Sequence, residues 1–153
     1  MEIKRITTDK LRPALNLVKQ VFDAFEAPEY SQEGVEEFYR FISWDIIAPK
    51  IEAGEIILWG AYQDGAPAGV IALRGRNHIC LFFVDGKFHH QGIGRLLYRD
   101  LTEYVKNIEK RDFVTVFSSP FAVRVYEALG FVRLAPEQLV NGMRCNPMAA
   151  YIF

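Results

Sequence analysis

Cysteine is scarce in this chain of 153 residues: only Cys80 and Cys145, far apart in sequence. Two such thiols build neither a disulfide framework nor a metal cluster, and a reducing, cytoplasmic setting is their simplest home. An excess of one charge is missing too. Eighteen Lys and Arg against nineteen Asp and Glu leave a formal net charge of -1, which argues against a nucleic-acid footprint. No apolar run approaches the ~20 residues of a membrane span, so no membrane partner is expected. Met1 to Ile6 is patterned as a short strand and not as a signal peptide. Of the three histidines, His89 and His90 are adjacent and have no further ligands at metal spacing, so no metal is expected. Repeats, low-complexity tracts and interdomain linkers are absent.

What the chain does have is apolar bulk. Half its residues are hydrophobic, with twelve Phe and seven Tyr, enough for one domain spanning residues 1–153 with a real core. Leu11, Ala14, Leu15, Val18, Val21, Phe22 and Phe25 recur at three and four and predict an amphipathic helix. Ser31 caps a second helix whose apolar face is Val35, Phe38, Phe41 and Ile42, and a short helical piece follows over Trp44 to Ala53. Residues 56–63 and 66–74 flank Asp64-Gly65, a strong hairpin signal. Residues 78–84 and 113–118 read as further buried strands. A long helix separates them, marked by Ile93, Leu96, Leu97, Leu101, Tyr104, Val105 and Ile108. Pro120 suits a first helical position, and Gly130 ends that helix. Residues 132–140 and 143–152 read as a last strand pair around Asn141-Gly142.

The most informative stretch is Val84-Asp85-Gly86-Lys87-Phe88-His89-His90-Gln91-Gly92-Ile93-Gly94-Arg95. It passes from a strand through a glycine-bearing turn into a helix. The first N–H groups of a helix have no internal partner and point out of its positive end. Glycines at 92 and 94 let a diphosphate approach that backbone with no Cβ in the way. The loop lacks the lysine and hydroxyl of a Walker A motif, and it lacks the third glycine of a dinucleotide fingerprint. Both count against ATP or NAD as its ligand.

His89-His90-Gln91-Gly92-Ile93-Gly94, entered from Leu81-Phe82-Phe83-Val84, resembles the coenzyme A loop of the GNAT (GCN5-related N-acetyltransferase) superfamily, Arg/Gln-x-x-Gly-x-Gly/Ala. His89 stands where that motif has Arg or Gln. A second segment, Ser119 to Phe131, resembles the later family pattern Asn-x-x-Ala-x-x-x-Tyr-x-x-x-Gly-Phe. Ala122, Tyr126, Gly130 and Phe131 match it, and Ser119 replaces Asn.

The resemblance implies an α/β fold with a mixed sheet, in the order βααβββαβαββ. It also implies that the strand before the loop and the strand beginning near Phe113 splay apart. Acetyl-CoA would be the co-substrate, with Phe82, Phe83 and Val84 along its pantetheine arm. His89, His90, Gln91, Gly92, Ile93, Gly94 and Arg95 would surround its diphosphate, and Ser119 would join the same site. Tyr126 would be the general acid that protonates the leaving thiolate, although a core tyrosine on the face of Ala122, Val125 and Leu129 would show the same spacing.

The resemblance implies an N-acetyltransferase acting on a primary amine of a small molecule or peptide. The alternative is a non-catalytic acyl-CoA-binding or sensing domain on the same fold. No general base stands out. His78, Asp85, ordered water or an acid of the Glu26 to Glu37 region are the candidates. Glu26, Glu29, Glu33, Glu36 and Glu37 would border the acceptor pocket, where a solvated helix face explains most of them. Tyr30, Phe38 and Trp44 are possible pocket walls. The apolar segment Met148 to Phe153 suits a homodimer contact.

Overall fold

The computed structural model describes all residues, 1–153. Strand β1 (Glu2–Arg5) leads through a 3-10 turn into helix α1 (Leu11–Phe25), then α2 (Gln32–Phe41) and α3 (Trp44–Glu52). Ser31 Oγ accepts the N–H of Gly34 at 3.2 Å and so caps α2. Pro49 sits inside α3.

Strands β2 (Ile56–Gln63), β3 (Ala66–Arg74) and β4 (His78–Val84) follow as a meander. Asp64 and Gly65 both have positive φ, 52° and 81°, as a two-residue hairpin turn matched to strand twist requires. Helix α4 (Ile93–Tyr104) ends in a π-helical turn, Val105–Glu109. Strand β5 (Phe113–Ser118) precedes helix α5 (Val123–Ala128). Pro120 is not its first residue. Ser119 Oγ accepts the N–H of Ala122 at 3.2 Å, and this turn delays the helix until Val123. The expected strand over 132–140 is broken. It becomes β6 (Val132–Arg133) and β7 (Gln138–Val140), which pair separately with β8 (Met143–Tyr151). Ala135-Pro136 falls in the gap, where proline has no N–H to offer a ladder.

The mixed sheet has the order β1-β2-β3-β4-β5-β8-β6, and its one parallel pair is β4–β5. Two cores lie on its faces. One holds Leu11, Val18, Phe22, Phe38 and Ile47 under α1 to α3 against Leu58, Val70 and Leu81. The other holds Leu97, Leu101, Val114, Tyr126, Phe131 and Met148 with α4 and α5. Alternation along β3 serves both, with Val70 and Ala72 facing one core and Ile71 and Leu73 the other. Along β8, Met148 and Ala150 are buried while Tyr151 is exposed, and Ile152 just beyond it is buried again.

Candidate active site

The register of β4 against β3 slips between Ala72 and Leu73: Ala72 pairs with Leu81 and Leu73 with Ile79, leaving Cys80 as an extra residue. Such a bulge bends a strand and increases its twist. The consequence is visible on the other side. β4 pairs with β5 only through His78–Thr115 and Ile79–Val116. From Cys80 onward the two strands diverge, as expected from the family resemblance. The resulting gap is lined by the unpaired edge of β4 and by the turn after β5.

The loop after β4 supplies the charged end of this gap. Gly92 has φ 83° and is the N-cap of α4. The N–H of Leu96 donates to the Gly92 carbonyl at 3.2 Å, while those of His90 through Arg95 find no backbone acceptor. Six consecutive donors therefore stand free at the positive end of a twelve-residue helix, an arrangement suited to a diphosphate. A Cβ on Gly94 would sit 3.5 Å from Phe82 Cζ, at ordinary contact distance from that ring.

This loop opens on a cavity of about 510 Å³ that also touches Phe82, Val84, Phe121 and Tyr126. A second cavity of about 320 Å³ lies on the other side, between α2, the bulged part of β4 and the β7–β8 turn. The two share Glu26, Phe82, Phe83, Ala122 and Tyr126. These five residues are the partition where a long thiol ester on one side could meet a nucleophile on the other.

Tyr126 packs its ring edge-on against Phe82 and Phe131, with centroids 5.9 and 5.1 Å away. Burial pushes its phenol well above the ordinary value, and the nearby Glu26 carboxylate adds to this. It is therefore a neutral hydroxyl across the physiological range. Glu26, at the C-terminal end of α1, is only 9% exposed. Burial raises its carboxyl to about 7, against the pull of the Ser119 hydroxyl, with Glu29 adding a smaller push upward. A carboxyl poised near neutrality can take up a proton and release it again.

Not every residue singled out in the sequence points the same way. His89 lines the first cavity, but its Nε2 lies 2.7 Å from the Val84 carbonyl oxygen and its ring packs on Phe25 at 4.9 Å. The side chain thus fastens the loop to the end of β4. His90, Ile93 and Arg95 line the same cavity. His90 has φ 64°, and Arg95 donates to the Ala128 carbonyl at 3.4 Å. Gln91 turns its amide to the Lys87 carbonyl at 3.1 Å and, unlike its neighbours, lines neither cavity. Ser119 is buried and lines the second cavity.

Among the base candidates, Asp85 spends its carboxylate on the Lys87 N–H at 3.0 Å. His78 holds Thr115 Oγ1 at 2.8 Å, and burial lowers its imidazole to about 4. It sits four residues before Phe82, roughly 13 Å along the strand. Glu26 is the one that reaches the partition. Glu29, Glu33 and Glu36 are exposed, and Glu37 pairs with Arg40. Glu26 was legible only as one of a group of five acids. Its distinguishing signal is spacing: it continues the stripe Leu15, Val18, Phe22 one turn further, a carboxylate where an apolar residue belongs.

A family model described as an acetyltransferase (GNAT) domain matches residues 26–152. A GCN5-related N-acetyltransferase structure from Rhodopseudomonas palustris superposes with a TM-score of 0.81 at 16% identity, covering 99% of this chain and 95% of that one. The PaiA N-acetyltransferase of Thermoplasma acidophilum, in complex with coenzyme A, gives 0.79 at 17% identity with 99% of each chain covered. A chimera of the Vibrio cholerae spermidine N-acetyltransferase SpeG with hSSAT gives 0.66 at 15%, covering 99% and 96%. No curated protein sequence matches the chain.

Proposed function

The chain belongs to the GNAT acetyltransferase family, and from that premise we propose that it moves an acetyl group from acetyl-CoA directly to a primary amine. The observation that carries this reading is the row of free N–H groups from His90 to Arg95, opening on a cavity that meets a second one at Glu26 and Tyr126.

In this reading the diphosphate of acetyl-CoA rests on the head of α4 and the pantetheine arm takes the place beside β4 that β5 vacates. Its amides would bond the strand edge at Phe82 to Val84, and the edge N–H groups would polarise the thioester carbonyl. The acceptor amine would enter from the second cavity. Its nitrogen lone pair attacks the carbonyl carbon and forms the C–N bond. The Glu26 carboxylate takes the proton that nitrogen loses. The C–S bond then breaks, its electron pair stays on sulfur, and the Tyr126 hydroxyl supplies a proton to the developing thiolate. Solvent returns that proton to Tyr126 and accepts the one from Glu26. Holding the two reactants across one partition lowers the barrier further.

Thermal unfolding with acetyl-CoA, CoA, ATP and NAD in parallel tests the first half of this reading. A ligand at ~100 times its dissociation constant adds ~2.7 kcal/mol, a shift of several degrees. Shifts with both CoA forms and none with ATP or NAD support it. A flat response to the CoA forms by folded protein removes it. Release of free CoA thiol only when an amine is added separates an enzyme from an acyl-CoA-binding module.

A further inference from the structure

The second cavity is unevenly furnished. At its inner end stands Glu26, buried and without a cationic partner. Its middle is aromatic, with Tyr30, Phe38, Phe41 and Phe117 in the wall. Phe22, behind it, stacks on both Phe38 and Tyr30, with centroids 4.0 and 5.6 Å away, so those two walls are braced. At its outer end, across from His78 in the β3–β4 register, stands Arg74.

The other charges around the cavity are already matched. Glu37 pairs with Arg40, and Arg144 grips Glu137 at 3.0 Å. Arg74 makes no ion pair, is exposed, and lines the cavity beside its cross-strand partner His78. His78 offers no competing positive charge there, because burial keeps it neutral above about pH 4. The cavity is therefore polarised along β4: one carboxylate inside, apolar rings between, one unpaired cation outside. The span from Phe82 to His78 is roughly 13 Å between α-carbons, and side chains reaching inward shorten it.

Building on the acetyltransferase reading, we propose that the acceptor is a primary amine joined through an apolar, ring-bearing spacer to an anionic group, which Arg74 recognises. The amine end lies at Glu26 and Tyr126, and the spacer packs among Tyr30, Phe38 and Phe117. A polyamine fits poorly. Its further ammonium groups would lie among aromatic walls with no free carboxylate and would end beside a guanidinium. Arg74 on this account is a specificity-determining residue and takes no part in proton transfer.

The test uses the full chain with acetyl-CoA and three acceptors: 2-phenylethylamine, 4-(2-aminoethyl)benzoate and spermidine. The expected order of kcat/KM is the carboxylated amine, then the neutral one, then spermidine. An exposed ion pair contributes modestly, so the carboxylate should gain roughly fivefold over the neutral amine. Arg74→Ala should erase that gain and Arg74→Glu should reverse it. Thermal shifts of the CoA-bound protein with each acceptor give a readout independent of turnover. Spermidine as best acceptor, a carboxylate advantage that survives both variants, or no shift by either aromatic amine in the presence of CoA would overturn the proposal. A protein that binds CoA but ranks the acceptors otherwise loses only this inference, whereas one that fails to bind CoA loses the acetyltransferase reading itself.

Discussion

Gly34 on α2 faces Gly142 in the β7–β8 turn so closely that a Cβ on Gly34 would fall 2.3 Å from the Gly142 carbonyl oxygen. Ser31 Oγ donates to the same carbonyl at 3.3 Å. Two residues without side chains thus let a helix and a tight turn pack backbone to backbone. Gly142, with φ 78°, holds a left-handed conformation that favours glycine. Gly34→Ala should cost on the order of 2 kcal/mol, as overpacking against rigid backbone does. Urea unfolding would show it as a lowered midpoint at unchanged slope. An unaltered midpoint would mean that α2 and the turn are free to separate.

Glu26 sets activity against stability. A carboxyl raised from 4.5 to about 7 binds protons on folding. Stability therefore falls as pH rises through that window, and the deprotonated form needed to accept a proton is the costly one. Glu26→Gln should stabilise the fold at pH 8 by up to about 3 kcal/mol and do little near pH 4. The same variant should lose ~100-fold in kcat and flatten the rise of kcat with pH near 7. Melting curves and pH–rate profiles on the two proteins check both halves.

The Tyr126 hydroxyl stands at the partition between two cavities, while its ring is held by Phe82 and Phe131. Tyr126→Phe keeps that packing. Its Tm and CoA affinity should match the parent, with kcat down by ~100-fold. Equal turnover in both proteins would return this tyrosine to a packing role.

The two loop glycines separate backbone strain from ligand clearance. Gly92 has φ 83° and open space around a notional Cβ, so Gly92→Ala should lose ~1 kcal/mol of stability from conformation alone. At Gly94 an added Cβ meets Phe82 only at ordinary contact distance. Gly94→Ala should fold as well as the parent and bind CoA less tightly. Calorimetric titration with CoA beside a melting curve distinguishes the two. Intact affinity in the Gly94 variant would mean the diphosphate does not approach that position.

Much of this molecule was readable from one chain of letters, because local chemistry decides it. The 3.6-residue spacing in residues 11–25 and the Asp64-Gly65 and Asn141-Gly142 turns each act through neighbours in sequence. So does the glycine turn at the head of α4, and each was found where its pattern lies. The misplaced boundaries have local causes too. Ser119 takes the Ala122 N–H and delays α5, and Pro136 interrupts a strand that hydropathy alone would continue.

What the sequence could not decide are the relations between distant segments. No spacing rule joins Glu26 to Tyr126, one hundred residues later, or Gly34 to Gly142. Whether an acid on an amphipathic helix is solvated or buried depends on what the sheet lays against it. The slip at Cys80 separates β4 from β5 only because both strands lie in one sheet. The sequence determined the elements and the loop chemistry, since those rest on backbone preference and periodicity. The tertiary structure alone determined which of five glutamates is removed from water and raised toward neutrality, because desolvation belongs to a place in the fold and not to a residue type.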